Sequence, residues 1–328
     1  MNIGYLIRSG SPTSMKVYFS SIRGELEKQG IKFVDGFDST QKPDLYWDVR
    51  CSGGRPPLTP MLEHLPYVVT NHGASSLSLN YSAYKNPLNY MKTRIGALLR
   101  RSGWKGWSRK ISHLISVSDY ALSEIQKYIP ETRTIPSSVI YHGVNKQLFN
   151  NVGAEDISRR GYILHVSSYQ AKKNVEGIIR AYCRVSERLN VPLKIVSPGA
   201  PEHLRSDQYE LINHHIDQEE LAKLYREALC FIFPSFHETF GLPIMEAMAS
   251  GTPVITSNST ACVEIAGEDA IIVDPHSIEG ISKALVEVVS NQELRASYSR
   301  KGLNRAEQFT WKTAAQQHLE IFSQILPS

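Results

Sequence analysis

The sequence predicts an α/β chain of two Rossmann-like domains, and three observations carry that prediction. Residues 2–7 read as a strand, residues 8–12 as a turn, and Ser14 as the cap of a helix reaching about Gln29, before Gly30 and a second strand, IKFV. The same order begins again after the polar stretch 150–160, with strand YILHV, a polar loop and helix VEGIIRAYCRVSERL. The third observation is the run CFIFPSFHETFGLPIMEAMASGTP from Cys230 to Pro253, which reads strand, loop, helix, with strand VIT behind it. Repeated strand–helix–strand order of this kind builds parallel sheets covered by helices. With 328 residues the chain has room for two domains of ordinary size.

Composition narrows the class. Hydrophobic residues make up 41% and charged residues 21%, the balance of a soluble globular protein. Cys51, Cys183, Cys230 and Cys262 are scattered without short paired spacing. That pattern argues against a structural zinc site or a disulfide framework and fits a reducing compartment. The start MNIGYLIRSG reads as a strand and its turn, not a signal segment, and no apolar run nears the roughly 20 residues that span a bilayer. A cytoplasmic protein is expected. The net charge of +4 conceals an asymmetry. Up to Lys146 there are 19 Lys and Arg against 10 Asp and Glu, and beyond it 17 against 22. The basic N-terminal half therefore points to an anionic partner.

In the first half, residues 44–49 and 66–70 read as further strands. The second of these runs into Asn71-His72-Gly73, at the carboxyl end of a strand, where open α/β sheets place ligands. By itself a histidine such as His72 is more often a hydrogen-bonded turn residue than a catalytic one. The turn 8–12 holds only Gly10 and lacks the G-x-G-x-x-G pattern, so dinucleotide binding is not expected there. From Lys92 to Lys110 the chain reads KTRIGALLRRSGWKGWSRK, seven basic residues and no acidic one around Leu98, Leu99, Trp104 and Trp107. This segment reads either as a solvated helix and loop, or as an interfacial segment meeting anionic headgroups or a phosphorylated acceptor. No nucleic-acid module accompanies it, and nucleic acid is not an expected partner. HLISV then reads as a strand, with Ser118 or Asp119 capping a helix to about Ile129. Residues 138–141 form another strand, ending in His142-Gly143-Val144-Asn145.

In the second half, Lys172 and Lys173 stand next to each other at a helix entrance. There they oppose the helix dipole unless an anion sits with them. Residues 193–196 are a strand. His214 and His215 point apart in a strand reading and find no third ligand, so no metal site is expected. Within Cys230 to Pro253, Pro243 suits a first helical position and Gly251 follows the helix end as a cap. Glu238 in the loop and Glu246 about a turn into the helix flank the N–H groups of Phe240, Gly241 and Leu242, which favour an anion. Two surface glutamates on an ordinary loop and solvated helix are the plainer reading of that spacing. Helices at about 277–290 and 292–307 and an amphipathic helix from about Thr310 close the chain.

The string PSFHETFGLPIMEAMASGTPVITSN resembles the donor-binding signature of family-4 retaining glycosyltransferases of GT-B fold, PS-x-x-E-x-F-G-L-P-x-x-E-A-M-A-x-G-x-P-V. The resemblance implies two Rossmann-like domains facing across a cleft. Residues 1–147 would be the acceptor domain, 148–309 the donor domain, and 310–328 a helix crossing back. It implies transfer of a hexose from a nucleoside diphosphate sugar to a glycan or lipid-linked acceptor in polysaccharide biosynthesis. Family frequency points to UDP-glucose. The roles it carries over are catalytic for His72, Lys173 and Glu238, and donor-binding for Lys172, Ser167, Phe240, Gly241, Leu242, Glu246 and Gly10. From the residues themselves, no D-x-D-type metal motif stands in a suitable loop and the basic pair can neutralise a leaving diphosphate, so neither metal nor cofactor is expected. The basic, Trp-containing segment Lys92 to Lys110 favours a membrane-proximal acceptor and peripheral contact with the inner face of a membrane. The chain departs from the pattern at several places. Gly10 stands alone where a glycine-rich loop is usual, Ser167 and His214 replace frequent glycines, and His142 and Asn145 depart from N-G-V-D. Lys172 replaces a common arginine, keeping the charge without the bidentate fork. Two alternatives stay open: other chemistry on this fold (sugar-nucleotide epimerase or phosphorylase), or a non-catalytic partner subunit that binds nucleotide or glycan.

Overall fold

A computed structural model describes residues 1–7, 13–36, 42–49, 64–78, 87–152 and 161–326. The chain divides into two compact units, Met1–Gly143 with Trp311–Ser328, and Val144–Thr310. In the first unit the strands are β1 (Asn2–Leu6), β2 (Lys32–Asp35), β3 (Leu45–Asp48), β4 (Tyr67–Asn71), β5 (His113–Ser116) and β6 (Ser137–Val139). They form one parallel sheet in the order β2-β1-β3-β4-β5-β6. Its helices are α1 (Thr13–Glu27), α2 (Ser75–Ser78), α3 (Pro87–Trp107) and α4 (Asp119–Tyr128). Every residue of β3 and of β4 is buried, as a parallel sheet covered on both faces requires. Ser118 caps α4 by accepting the Ala121 N–H at 2.9 Å, as its place before the helix predicts.

The second unit repeats the architecture with a different strand order. Its strands are β7 (Tyr162–Val166), β8 (Leu193–Val196), β9 (Glu210–Ile212), β10 (Ala228–Phe233), β11 (Val254–Ser257) and β12 (Ile271–Val273). They lie parallel in the order β12-β11-β10-β7-β8-β9. Helices α5 (Val175–Cys183), α6 (Ser186–Leu189), α7 (Gln218–Glu227), α8 (Leu242–Ala249), α9 (Ala261–Ala266), α10 (Ile278–Ser290) and α11 (Gln292–Ala306) complete it. From β7 the chain winds outward through β8 and β9, then returns to the other side of β7 as β10. β7 and β10 are thus neighbours whose connections leave toward opposite edges of the sheet, the switch point at whose carboxyl ends such sheets place ligands.

Several boundaries differ from the sequence reading. The helix expected over residues 175–189 is two helices, because Val185 leaves the helical region at φ −130°, ψ 2°. β10 begins at Ala228, not Cys230, since the residue closing α7 is already extended. α3 runs through Trp107, where a loop was expected, and Trp104 is buried against Tyr67, Leu114 and Ile125 instead of lying on an interfacial face. His214 and His215 lie exposed in the connection after β9, not in a strand. Among the described residues no helix is long and apolar enough to cross a membrane.

The last helix, α12 (Trp311–Ile325), belongs to the first unit. Its Ala314, Ala315, Ile321 and Phe322 join the core made by Tyr18, Ile22 and Leu26 of α1 with Ile3, Leu45 and Trp47 of the sheet. A chain of buried hydrogen bonds fixes this packing, and each direction follows from the one before it. His318 Nδ1 faces the Ala314 carbonyl at 2.7 Å, so it carries the proton and Nε2 must accept. Nε2 accepts from the Tyr18 hydroxyl at 2.6 Å, and the Tyr18 oxygen accepts from Thr70 at 3.3 Å. Thr70 in turn accepts the Trp47 indole N–H at 2.9 Å. Burial holds His318 neutral by lowering its pKa to about 4, which this chain needs. Tyr18→Phe leaves the buried His318 Nε2 without its donor, and is expected to cost the first unit about 1–3 kcal/mol. The measurement is the denaturant midpoint of the transition assigned to that unit; an unchanged midpoint would show that the chain of bonds carries no stability.

Candidate functional site

Lys172, Lys173 and Glu238, singled out in the second half of the sequence, come together at the carboxyl ends of β7 and β10. The loop after β7 carries Ser167, Lys172, Lys173 and Asn174; the loop after β10 carries Glu238, Phe240 and Gly241. Asn174 joins the two. It takes the left-handed conformation at φ 58°, ψ 33°, and its buried amide donates to the Pro234 carbonyl at 3.1 Å and the Pro275 carbonyl at 2.8 Å. Gly177 lies directly on this side chain, where a Cβ would collide with Asn174 Oδ1. The Phe236 N–H donates to the Lys172 carbonyl at 2.8 Å, so the lysine pair is laid against the second loop by its backbone.

Lys173 Nζ donates to Glu238 Oε1 at 2.5 Å, with side-chain exposures of only 14% and 8%. Burial is the largest single influence on Glu238 and opposes its charge. The charges of Lys173 and Lys172, the hydrogen bond from Lys173 and the nearby Ser235 hydroxyl together outweigh it, and the carboxyl sits below its ordinary pKa. The Lys173 ammonium also lies 5.3 Å from the centre of the Phe233 ring. The Glu238 N–H is held by Thr260 Oγ1 at 3.0 Å. Thr260 has φ 58°, ψ −145°, a region that β-branched residues avoid at a cost of about 1–3 kcal/mol. Backbone strain and a buried ion pair in one place are features that cluster at functional sites.

Behind the pair, His165 Nδ1 faces the Ile232 carbonyl at 2.8 Å and therefore carries the proton. Nε2, 2.8 Å from Ser167 Oγ, must then accept the serine proton. Burial lowers His165 to about pKa 4, which keeps this arrangement neutral. The Ser167 hydroxyl is thus committed inward as a donor, and only its oxygen lone pairs can meet a ligand. It is built to accept from an ammonium or a hydroxyl, not to donate to a phosphate.

α8 opens at Gly241, whose φ of +100° is left-handed and favours glycine. No side chain caps the helix. Pro243 has no N–H, and the N–H groups of Gly241 and Leu242 meet no protein acceptor among the described residues. Phe240 is buried and packs edge-on against Phe309, ring centres 6.1 Å apart, which anchors the loop just before these donors. Glu246, one turn in, receives the Tyr225 hydroxyl at 3.1 Å. Burial pushes its carboxyl up to about pKa 7 in spite of that bond.

His72 lies in the first unit, at the carboxyl end of β4. Asn71 pins the turn by donating to Ser116 Oγ at 2.9 Å and the Ala121 carbonyl at 2.8 Å, and by accepting the Gly73 N–H at 2.9 Å. His72 Nε2 faces the Val49 carbonyl at 2.8 Å and carries the proton. Burial lowers its pKa to about 4, so the ring is neutral at physiological pH. It stacks on His142 with ring centres 5.7 Å apart and meets the edge of Tyr18 at 5.0 Å. Gly10 lies outside the described residues.

Sequence reasoning missed four contributors. His165 had a signal, as a lone histidine inside the apolar strand YILHV. Asn174, Tyr225 and Thr260 stand in stretches that carry the resemblance, but no role could be read for them, because a left-handed turn, a hydroxyl aimed at a carboxyl and a strained threonine exist only once the chain is folded.

Residues 150–305 match the family described as Glycosyl transferases group 1. Over 227 residues the chain is 26% identical to the O-antigen chain mannosyltransferase B of Escherichia coli, covering 64% of this chain and 60% of that protein. It is 28% identical over 233 residues to the MMP alpha-(1->4)-mannosyltransferase of Mycolicibacterium hassiacum, covering 67% and 56%. Each of these matches thus spans less than two thirds of the relative. Among solved structures, Alr3699/HepE of Anabaena, in complex with UDP and glucose, superposes with a TM-score of 0.72 at 15% identity, over 99% of this chain and 100% of that one. Sucrose-phosphate synthase of Thermosynechococcus elongatus gives 0.68 at 18%, over 98% and 80%. The fold is GT-B, with two six-stranded parallel α/β domains.

Because the folded Glu246 carboxyl titrates near pH 7 and an unfolded one near 4.3, the native state holds its proton more tightly. That contribution to stability is complete below about pH 4.3 and is lost as pH rises through about 7. Glu246→Gln is therefore expected to gain in melting temperature over the unaltered chain at pH 8, and by less at pH 5. A difference independent of pH would show that Glu246 is not raised.

Proposed function

We propose that this chain is a retaining, metal-independent glycosyltransferase that moves a hexose from a nucleoside diphosphate sugar to a hydroxyl acceptor. The observation that carries the proposal is the buried Lys173–Glu238 pair at the switch point of the second sheet, beside an uncapped helix start. Lys172, Lys173 and the N–H groups of Gly241 and Leu242 would oppose the charge growing on the departing diphosphate. Stabilisation of developing charge by groups already in place is usually the largest catalytic contribution. Glu238 would orient the sugar through its hydroxyls, and Ser167, able only to accept, would serve a sugar hydroxyl or steady Lys173. Glu246 would accept from the ribose diol. His72, with Nε2–H committed to Val49, would act as a neutral hydrogen-bonding group toward the sugar through Nδ1. Transfer would keep the anomeric configuration by a same-face, dissociative route, in which the leaving diphosphate takes the proton from the incoming hydroxyl.

The second unit is proposed to hold the donor and the first the acceptor. UDP-glucose is the donor proposed first, in keeping with the resemblance of the signature and with the UDP and glucose bound by the Anabaena neighbour. A mannosyl donor is the second reading, favoured by the two mannosyltransferase relatives. The acceptor is proposed to be a glycan or lipid-linked glycan of polysaccharide assembly at the cytoplasmic face of a membrane.

The test is a thermal-shift and donor-consumption panel of UDP-, GDP- and ADP-sugars, run on the unaltered chain and on Lys173→Ala. One base should raise the melting temperature and one sugar should be consumed. Lys173→Ala should lose about 100- to 1,000-fold in turnover while keeping its circular dichroism spectrum. Near-normal turnover in that variant would overturn the phosphate role. Binding of a nucleotide without consumption of any donor, whatever acceptor is supplied, would favour a non-catalytic binding subunit.

A further inference from the structure

Five of the nine large apolar side chains exposed among the described residues lie on one helix, α3: Leu88, Met91, Ile95, Leu98 and Leu99, between 56% and 67% exposed. Helical spacing puts them together. At about 100° per residue, Met91, Ile95, Leu98, Leu99 and Leu88 fall within an arc of about 100°. Lys92 borders that arc on one side, about 20° beyond Leu99, and Arg94 and Arg101 border it on the other, about 40–60° beyond Leu98. All three basic residues are exposed, and Arg109 and Lys110 in the turn that follows are exposed as well. Trp104 points about 170° from the middle of the arc and is buried in the first unit's core. The helix is therefore held by the face opposite the arc, and the arc is turned outward.

We infer that α3 is a docking helix for an anionic lipid surface, with the leucine arc entering the headgroup boundary and the flanking lysine and arginines meeting lipid phosphates. Charge decides the occupant. α3 contains no acidic residue, and the whole stretch from Lys92 to Lys110 has seven basic ones. A second copy of this helix packed on the arc would set one basic border against another, with no carboxylate on either helix to neutralise them. A bilayer rich in anionic headgroups supplies an apolar layer and negative charge at the depth this face presents. Arg94 already donates to the Leu77 carbonyl at 3.1 Å and lies over the Tyr90 ring, so Lys92 and Arg101 are the better test positions. The inference does not depend on glycosyl transfer, because it rests on a surface in the first unit.

The experiment is co-sedimentation of the full chain with phosphatidylcholine vesicles, with and without about 30% phosphatidylglycerol. Binding should be at least about tenfold stronger to the anionic vesicles and should weaken at about 0.5 M salt. Leu98→Glu and Ile95→Glu should abolish it, and Lys92→Ala with Arg101→Ala should weaken it. These variants should keep the melting temperature and the nucleotide response of the unaltered chain, so a failure here is separate from a failure of the proposed activity. Equal binding to both vesicle types, no binding to either, or undiminished binding by Leu98→Glu would overturn the inference. So would a concentration-dependent dimer that Leu98→Glu dissociates while vesicle binding is absent, since that result makes a second copy the occupant.

Discussion

A carboxylate and an ammonium held 2.5 Å apart with almost no exposure are costly to keep, and the second unit is organised around keeping them. Taking two charges out of water costs as much as their attraction returns unless further hydrogen bonds complete the arrangement. Lys172 adds a second positive charge, Thr260 accepts the Glu238 N–H, and Asn174 ties the two loops to each other. An apolar pair of similar volume would serve the fold at least as well. The retained charges fit a ligand that adds an anion beside Lys173 and hydroxyls beside Glu238, so that each group finds its partners in the bound state.

The neutral histidines form the second constraint. In His72, His165 and His318 alike, one ring nitrogen faces a backbone carbonyl, which fixes the tautomer and leaves the other nitrogen as an acceptor. Their depressed pKa values near 4 follow from burial and preserve those tautomers through the physiological range. The consequence at Ser167 is specific. A serine at a phosphate loop would ordinarily be read as a donor, but the histidine behind it takes that proton. Ser167 therefore presents only a lone-pair acceptor, and Lys172 of the same loop a point charge without a bidentate fork.

Much of this was legible in the residues. The parallel architecture followed from strand–helix–strand order, and the start of α4 from Ser118. The helix after Gly241 followed from Pro243 at its first turn, whereas the left-handed φ of Gly241 was not foreseen. The positions of Lys173 and Glu238 in loops that follow strands were legible for the same reason, since such sheets place ligands at the carboxyl ends of their strands. What stayed hidden depends on contacts far apart in sequence. Thr260 is strained only because it reaches Glu238, and Glu246 titrates near 7 only because burial surrounds it. Trp104 looked interfacial among its basic neighbours, yet it is the residue that anchors α3, and the leucines next to it are the exposed ones. Helical phase separates the two, and composition does not.

Diffraction from crystals of the chain soaked in UDP would show whether Lys173 and the start of α8 form a diphosphate site. The terminal phosphate is expected within hydrogen-bond distance of Lys173 Nζ and of the Gly241 or Leu242 N–H, with the ribose diol at Glu246. A nucleotide bound elsewhere, or bound with Lys173 still joined only to Glu238, would contradict that expectation.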